Sequence, residues 1–199
     1  MKTITISRQY GSGGRRVAEL LSEKLGIPYY DSNLLLIAGE KYGIDPALLR
    51  EYDEKKGNSF LFGIAMIADG YSNQDRLMLP YKLYQAQTEA MKRLVEEGPC
   101  ILVGRCADQV LKEEKELLRV FIYASSMEER INRIMNVDQV SQKDAPGLIA
   151  QKDRSRRDYY YFHTGHEWGK KENYDICLNT TTFGYEGCAE ILAALAKER

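Results

Sequence analysis

The residues best suited to chemistry lie in the glycine cluster GSGGRR, residues 11–16, which we call the glycine loop. Its three glycines can adopt positive φ, so the backbone can curl with several N–H groups pointing inward. An apolar strand precedes the loop and a helix follows it, and a helix N-terminus adds unpaired N–H donors and a positive dipole end. The two arginines add charge and forked donors that suit phosphate. The stretch therefore predicts an anion site made of Gly11, Ser12, Gly13, Gly14, Arg15 and Arg16.

This loop departs from the standard phosphate loop, G-x-x-x-x-G-K-[ST], whose lysine contacts the phosphates and whose hydroxyl ligates Mg²⁺. If Gly13 is the last glycine, Gly14 takes the lysine place and Arg15 the hydroxyl place. If Gly14 is last, Arg15 and Arg16 take those places. In both registers an arginine can neutralise phosphate but cannot ligate a cation. We therefore expect Mg²⁺ to be held mainly by nucleotide oxygens and water, with Asp108 as a candidate carboxylate ligand. A tight turn that only packs is the alternative interpretation.

The composition excludes several classes of protein. The chain has 199 residues and a formal net charge of -1, so it has no basic excess that would indicate nucleic-acid binding. Its longest apolar runs, 34–38 and 100–104, are far shorter than the roughly 20 residues of a membrane span. The N-terminus has no signal-peptide pattern, so the cytoplasm is the expected location. The cysteines show no metal-site or disulfide spacing, and we expect them to be reduced: Cys100, Cys106, Cys177 and Cys188.

Elements that would position the glycine loop can be read from the hydrophobic pattern. Short, nearly continuous apolar runs predict buried strands, and helical patterns alternate with them, which is typical of an α/β protein with a parallel sheet. The predicted strands are 3–7, 100–104, 119–125 and 175–180, with a weaker candidate at 27–31. The predicted helices between and after them are 15–26, 125–135 and 185–199.

Two regions do not fit a plain strand–helix repeat. Residues 32–98 hold no clear strand and predict helices at 45–55 and 79–98. Residues 138–174 are highly charged and rich in tyrosine. Insertions at these places would lie at the carboxyl ends of the strands, where open α/β sheets bind ligands.

Three segments together resemble one known family. ITISRQYGSGGRRVAELLSEKLGIPYYD, then ILVGRCAD, then YYYFHTGHEWGKKENYDICLNTT are similar to the cytidylate kinase-like proteins. The resemblance implies a P-loop NTPase-type three-layer sandwich with a five-stranded parallel sheet, a helical insertion that binds nucleoside monophosphate, and a lid. It implies one domain over 1–199, with a core (1–31, 99–137, 175–199), an insertion (32–98) and a lid region (138–174). It also implies phosphoryl transfer from ATP to a nucleoside monophosphate, with CMP or dCMP as the first acceptor to consider.

The resemblance also implies acceptor-side residues. Asp31 and Ser32 fall where the family has an Asp-Ser pair whose serine helps to bind the monophosphate. Arg105 matches the arginine that contacts the substrate nucleotide, and Asp108 is the nearby candidate carboxylate. The family arginine five residues after the serine is absent here, where Ile37 stands. These departures bear on the acceptor more than on the fold.

Residues on the ATP side are implied by two further segments. SSMEERINRIM resembles the helix that leads to the lid, which makes Arg130 and Arg133 candidates for ATP binding. KDRSRRDY resembles the arginine-rich lid and implicates Arg154, Arg156 and Arg157. Together with Arg15 and Arg16, we assign catalysis to Arg154 and Arg157, because a lid must bring arginines to the transferring phosphoryl group.

Less specific interpretations stand beside these assignments. Arg105 can form a surface salt bridge, and the basic run 152–157 can be a solvated helix face. The missing lysine and hydroxyl favour a nucleotide-binding module without transfer activity. A kinase with another small metabolite as acceptor is the third possibility. The expected partners are small-molecule nucleotides, without nucleic acid or membrane, and the oligomeric state is open.

Overall fold

The computed structural model describes residues 1–31 and 73–197. These residues form five strands: β1 (Thr3–Arg8), β2 (Tyr29–Tyr30), β3 (Ile101–Val103), β4 (Leu117–Tyr123) and β5 (Ile176–Asn179). Their α-helices are α1 (Gly14–Leu25), α2 (Asn73–Glu97), α3 (Ala107–Val110), α4 (Met127–Val137), α5 (Ala145–Thr164) and α6 (Thr180–Lys197), with a 3₁₀ turn at Lys171–Asn173. All five strands fall within or beside the predicted runs. The helix predicted at 45–55 lies outside the described residues.

Local sequence signals explain where several helices begin and end. Ser126 caps α4, and its Oγ accepts a hydrogen bond of 3.2 Å from the Glu129 N–H, as the capping pattern predicts. Gly26 ends α1 in the left-handed conformation, and its N–H donates to the Ser22 carbonyl. Gly184 has φ 67° and ψ 179°, so regular helix in α6 resumes at the predicted start, Tyr185.

The strands form one parallel sheet in the order β2-β3-β1-β4-β5. Ile4 pairs with Ile101 on one side of β1 and with Leu118 on the other. The central position of β1 places its carboxyl end, and the glycine loop after it, between the ends of β3 and β4. Open α/β sheets bind ligands at such a place. The predicted α/β fold with a five-stranded parallel sheet is confirmed.

The two faces of the sheet differ in character because successive strand side chains point to opposite faces. One face packs against α1 and α6 in a single apolar cluster that includes Ile4, Ile6, Val120 and Leu192. On the other face, Phe121 packs against Trp168 and Tyr174, with ring centroids 5.4 and 5.0 Å apart. Thr3, Thr5 and Ser7 are buried along β1. The apolar cluster anchors the strand and the helix that flank the glycine loop.

The chain divides into two compact units, one made of Met1–Asp31 and Glu97–Arg199 and the other of Ser32–Glu96. The first unit contains the whole sheet and all the predicted site residues except Ser32. In the described part of the second unit, Leu83, Ala86 and Met91 of α2 are buried. Within residues 1–31 and 73–197, no helix combines the length and the apolar character that a membrane crossing requires.

Candidate functional site

The glycine loop takes the curled shape that its sequence predicts. Gly11 and Gly13 have φ of 77° and 80°, and Gly13 is the residue that precedes α1. The first intrahelical bond of α1 runs from the Val17 N–H to the Gly13 carbonyl at 3.0 Å. The N–H groups of Gly14, Arg15 and Arg16 therefore lack intrahelical acceptors and stand at the positive end of the helix dipole. This geometry suits a bound anion.

Side chains cannot replace the loop glycines without movement of their neighbours. A Cβ on Gly13 would lie 2.3 Å from the Tyr185 ring, and one on Gly11 would lie 2.9 Å from the Arg130 carbonyl oxygen. Ser12 is buried, and its Oγ donates to the Gln9 carbonyl at 2.8 Å. The side chain of Ser12 thus stabilises the turn, and its backbone N–H also donates to the Gln9 carbonyl, at 3.4 Å.

The two loop arginines are paired with carboxylates. Arg15 donates from Nε to Asp31 at 2.7 Å, and 59% of its side chain is exposed. Arg16 contacts Glu19 at 3.4 Å, one turn further along α1. Because Gly13 caps the helix, the register with Gly13 as the last glycine applies, and Gly14 stands at the lysine place. The structure therefore brings Arg15, but not Arg16, to a carboxylate at the end of the sheet.

Asp31 organises the arginines at this edge of the sheet. It follows β2, and its two oxygens accept from Arg8 at 2.8 Å and from Arg15 at 2.7 Å. Burial alone would raise the pKa of Asp31, but the Arg8 and Arg15 guanidinium groups, with Arg105 further away, hold the pKa below its ordinary value. The predicted acceptor residue Asp31 is therefore a charged counter-ion of two arginines. Its neighbour Ser32 lies outside the described residues.

A buried ion pair holds the backbone of Tyr10, the residue that precedes the glycine loop. Arg130 of α4 pairs with Asp153 of α5 and donates from Nε to the Tyr10 carbonyl at 2.8 Å. The Tyr10 N–H donates to Asp153 at 2.8 Å. Arg130 and Asp153 thus bind both backbone polar groups of Tyr10, its carbonyl and its N–H. We call these three residues the Tyr10 clamp. Arg130, predicted to bind ATP, is placed here as a residue that positions the loop.

Of the three lid arginines, Arg156 lies at the loop. Its Nη1 donates to the Arg8 carbonyl at 2.8 Å, and its guanidinium lies 5.6 Å from the centre of the Tyr10 ring. Burial, together with the positive charge of Arg8, lowers the pKa of Arg156 to about 9. Arg154 and Arg157, the two assigned to catalysis, are exposed on α5. Among residues 1–31 and 73–197, no hydrogen bond or ion pair joins either of them to the loop.

Arg133 and Arg105 flank the loop on opposite sides. Arg133 of α4 lies 4.6 Å from the centre of the Tyr185 ring, the ring that also covers Gly13. Arg105 follows β3 with φ 57° and lies 5.8 Å from the centre of the Tyr159 ring. Its charge also reaches Asp31. Both predicted residues therefore lie beside the carboxyl edge of the sheet.

Asp108, the predicted candidate carboxylate, is held by a hydrogen bond from a tyrosine. It is buried in α3 and accepts from the Tyr160 hydroxyl at 2.6 Å. Burial raises its pKa, although the hydrogen bond from Tyr160 opposes the shift. Among residues 1–31 and 73–197, no group of three or more His, Cys, Asp or Glu side chains is placed to hold a metal ion.

Sequence reasoning missed Arg8, Tyr10 and Asp153. Arg8 carries a signal in the motif itself, because counting back from Gly13 places it where G-x-x-x-x-G requires a glycine. Asp153 lies three residues before Arg156, a spacing that puts both on one face of a helix. Tyr10 carries no comparable signal, since its backbone rather than its side chain makes the key contacts.

Comparison with known proteins agrees with this geometry. A model of the cytidylate kinase-like family matches residues 3–182. An uncharacterized protein from Eubacterium ventriosum is similar over 100% of both chains, with 22% identity and a TM-score of 0.73. A shikimate kinase from Bacteroides thetaiotaomicron is 12% identical over 99% of each chain, with a TM-score of 0.56. A gluconokinase from Sinorhizobium meliloti is 16% identical over 98% of this chain and 92% of that chain, with a TM-score of 0.54.

At these identities the solved structures show the fold alone, which is that of small P-loop kinases. No curated protein sequence matches the chain.

Proposed function

The chain belongs to the cytidylate kinase-like family, and we propose that it is an ATP-dependent phosphotransferase. In this proposal the γ-phosphoryl group of ATP moves to a nucleoside monophosphate, with CMP and dCMP as the first acceptors to test. ATP and nucleoside monophosphates are cytoplasmic metabolites, so the proposal keeps the predicted location and the predicted small-molecule partners.

One observation carries the proposal: arginines from four segments converge on the glycine loop. Arg8 ends β1, Arg15 belongs to α1, Arg105 follows β3 and Arg156 belongs to α5. The charges of Arg8, Arg15 and Arg105 all reach Asp31, and Arg8 also lowers the pKa of Arg156. Such a concentration of positive charge beside orphan backbone N–H groups is expected at a polyphosphate site.

The residues suggest a division of labour along the nucleotide. The N–H groups of the glycine loop and the start of α1 would hold the ATP phosphates. Arg133, whose guanidinium lies over the Tyr185 ring next to Gly13, would contact the base of ATP, because a guanidinium–aromatic pair offers a flat surface. Arg105, on the other side of the loop, would contact the acceptor. In this chemistry the protein positions groups and spreads charge, so no side-chain nucleophile is needed.

Mg²⁺ would reach this site with the nucleotide. The described residues offer no set of ligands for it, and its coordination by nucleotide oxygens and water remains the expectation. We therefore assign no step of the transfer to a metal-bound side chain.

A nucleotide-binding module without transfer activity is the second candidate. It is favoured by Gly14 at the lysine place, by the pairing of Arg15 with Asp31, and by the pairing of Arg16 with Glu19. A protein of this kind would bind ATP through the same loop and release it unchanged.

An ATP-consumption assay with Mg²⁺, run beside thermal-shift measurements, separates these candidates. The acceptor panel holds CMP, dCMP, the other nucleoside monophosphates, shikimate and gluconate. Turnover with a nucleoside monophosphate is the expected result. Stabilisation by ATP with no turnover on any acceptor would favour the binding module, and turnover only on a non-nucleotide would change the acceptor class. Lys24→Ala serves as the control, because it removes a surface cation that contacts only Glu190 among the ion pairs described.

A further inference from the structure

Arg8 occupies the space beside Gly14 at the end of β1. A Cβ on Gly14 would lie 2.6 Å from the Arg8 Cβ and 2.8 Å from its Cγ. These atoms belong to the stem of the arginine next to the backbone, so they cannot swing away as the end of a flexible side chain could. A residue with a side chain therefore fits at position 14 only if the residue at position 8 has no side chain.

The Arg8 guanidinium lies over Gly104, where β3 ends. A Cβ on Gly104 would come 2.0 Å from the Arg8 Nη1. The neighbouring Nη2 donates to Asp31 at 2.8 Å, and 18% of the side chain is exposed. The group is thus fixed at the carboxyl ends of β1, β2 and β3, and the carboxylate that fixes it is shared with Arg15.

The standard phosphate loop has the opposite arrangement at these two positions. With Gly13 as the last glycine, its first glycine falls on Arg8 and its lysine on Gly14. In this chain an arginine lies at the position of the first glycine, and a glycine lies at the position of the lysine. The long cationic side chain therefore belongs to the last residue of β1, whereas the lysine of the standard loop lies at the start of the helix.

We propose that Arg8 is the phosphate-facing cation of this loop and does the work that the loop lysine does elsewhere. This inference rests on the proposed function and adds to it the residue that contacts the terminal phosphoryl group. An arginine at this place presents a planar fork that can bind two phosphate oxygens at once.

Pairing with Asp31 does not remove Arg8 from this role. Asp31 binds Arg8 through Nη2 alone, at 2.8 Å, and its other oxygen accepts from Arg15. Asp31 orients the guanidinium, as a carboxylate commonly orients a binding group, and leaves its other donors for the phosphate.

The exchange can be tested by reversing it. Four variants are compared with the wild type and with Lys24→Ala: Arg8→Ala, Arg8→Lys, Gly14→Lys, and the double variant Arg8→Gly/Gly14→Lys. The double variant restores the standard order of glycine and lysine. Each protein is measured for the ATP dissociation constant by calorimetry, for kcat and KM with the acceptor found above, and for its midpoint of urea unfolding.

We expect Arg8→Ala to lower kcat about 10²- to 10³-fold, the loss typical of one removed transition-state donor, with a smaller effect on KM. Arg8→Lys should retain only part of the ATP affinity, because it keeps the charge but loses the bidentate fork. Gly14→Lys alone should unfold at lower urea and bind ATP poorly, since its side chain meets Arg8. The double variant should recover at least tenfold of the activity that Arg8→Ala loses.

Two results would overturn the inference. One is an Arg8→Ala protein that unfolds earlier but binds and turns over ATP like the wild type, which would make Arg8 a structural residue only. The other is a Gly14→Lys protein as active as the double variant. A wild type that does not bind ATP at all would instead refute the proposed function, so the two failures are distinguishable.

Discussion

At the scale of single residues, neighbouring side chains lie so close to the glycine loop that a larger residue would not fit there. Gly13 combines a left-handed backbone with a Tyr185 ring against its Cα. The two requirements have separate costs, because positive φ strains any side chain whereas the ring obstructs one physically. Gly26 also has a positive φ, 66°, but a Cβ there would meet nothing within 4 Å. It therefore has the backbone requirement without the obstruction.

The first prediction compares Gly13→Ala with Gly26→Ala. We expect Gly26→Ala to lower the free energy of unfolding by about 1–2 kcal/mol from backbone strain. Gly13→Ala should cost about 1–3 kcal/mol more, because the methyl group overpacks against Tyr185. Equilibrium urea unfolding gives both values, and equal losses would show that the ring contact places no constraint on Gly13.

A second residue-scale prediction concerns His163, on the inner part of α5. Burial, helped by the charge of Arg105, lowers the pKa of His163 to about 4. An ordinary histidine has a pKa near 6.5. Between pH 6.5 and pH 4, therefore, this histidine is protonated in the unfolded chain but neutral in the folded protein. The free energy of unfolding should therefore fall as the pH drops from about 6.5 to about 4.

The matched control for this pH dependence is the other histidine of the chain. His163→Gln should flatten the slope between pH 6.5 and 4, whereas the exposed His166→Gln should leave it as in the wild type. The measurement is urea unfolding at half-unit intervals of pH. An unchanged slope in His163→Gln would mean that other groups cause the loss of stability.

At the scale of elements, the Tyr10 clamp joins α4 and α5 to the strand-to-loop transition. Arg130 and Asp153 come from different helices and bind the backbone of the same residue, so the position of the loop depends on both helices. The helix that carries Arg154, Arg156 and Arg157 is thereby linked to the residues that would hold phosphate.

The prediction at this scale compares two Arg–Asp pairs. The Arg130–Asp153 side chains are 7% and 13% exposed, whereas the Arg119–Asp175 side chains are 32% and 37% exposed. Removing one partner of a buried pair leaves an unpaired buried charge and costs roughly 3–5 kcal/mol. We therefore expect a coupling energy of about 2–3 kcal/mol for the buried pair, and about 1 kcal/mol or less for the exposed one.

Double-mutant cycles with alanine at both positions of each pair give the two coupling energies. The Asp153→Ala protein should also exchange its α5 amide hydrogens faster than the wild type, because α5 loses its bond to Tyr10. Similar coupling energies for the two pairs would contradict the clamp.

At the scale of the whole molecule, the sequence predicted the fold better than the site. The strand runs were recognisable because a sheet covered on both faces needs nearly continuous apolar residues. Gly26 and Ser126 marked helix ends through chemistry that depends only on the local chain. The glycine loop was also recognisable, since its conformation depends on residues adjacent in sequence.

The remainder depends on side chains that meet only in three dimensions. No local pattern shows that Arg156 turns to the loop while Arg154 and Arg157 stay exposed, because all three lie on one charged helix. Arg8 is similar: its role follows from its contacts with Gly14 and Gly104, 6 and 96 positions away in the sequence. The buried environment of Asp108 could not be predicted either, because the hydrogen bond from Tyr160 to its carboxyl group forms only in the folded protein.

A crystal structure of the protein with a non-hydrolysable ATP analogue and Mg²⁺ tests the central claim most directly. We predict the phosphates within hydrogen-bond distance of the N–H groups of residues 11–16, with the Arg8 guanidinium on the terminal phosphate. A nucleotide bound elsewhere, or a glycine loop left empty at saturating analogue, would contradict this account.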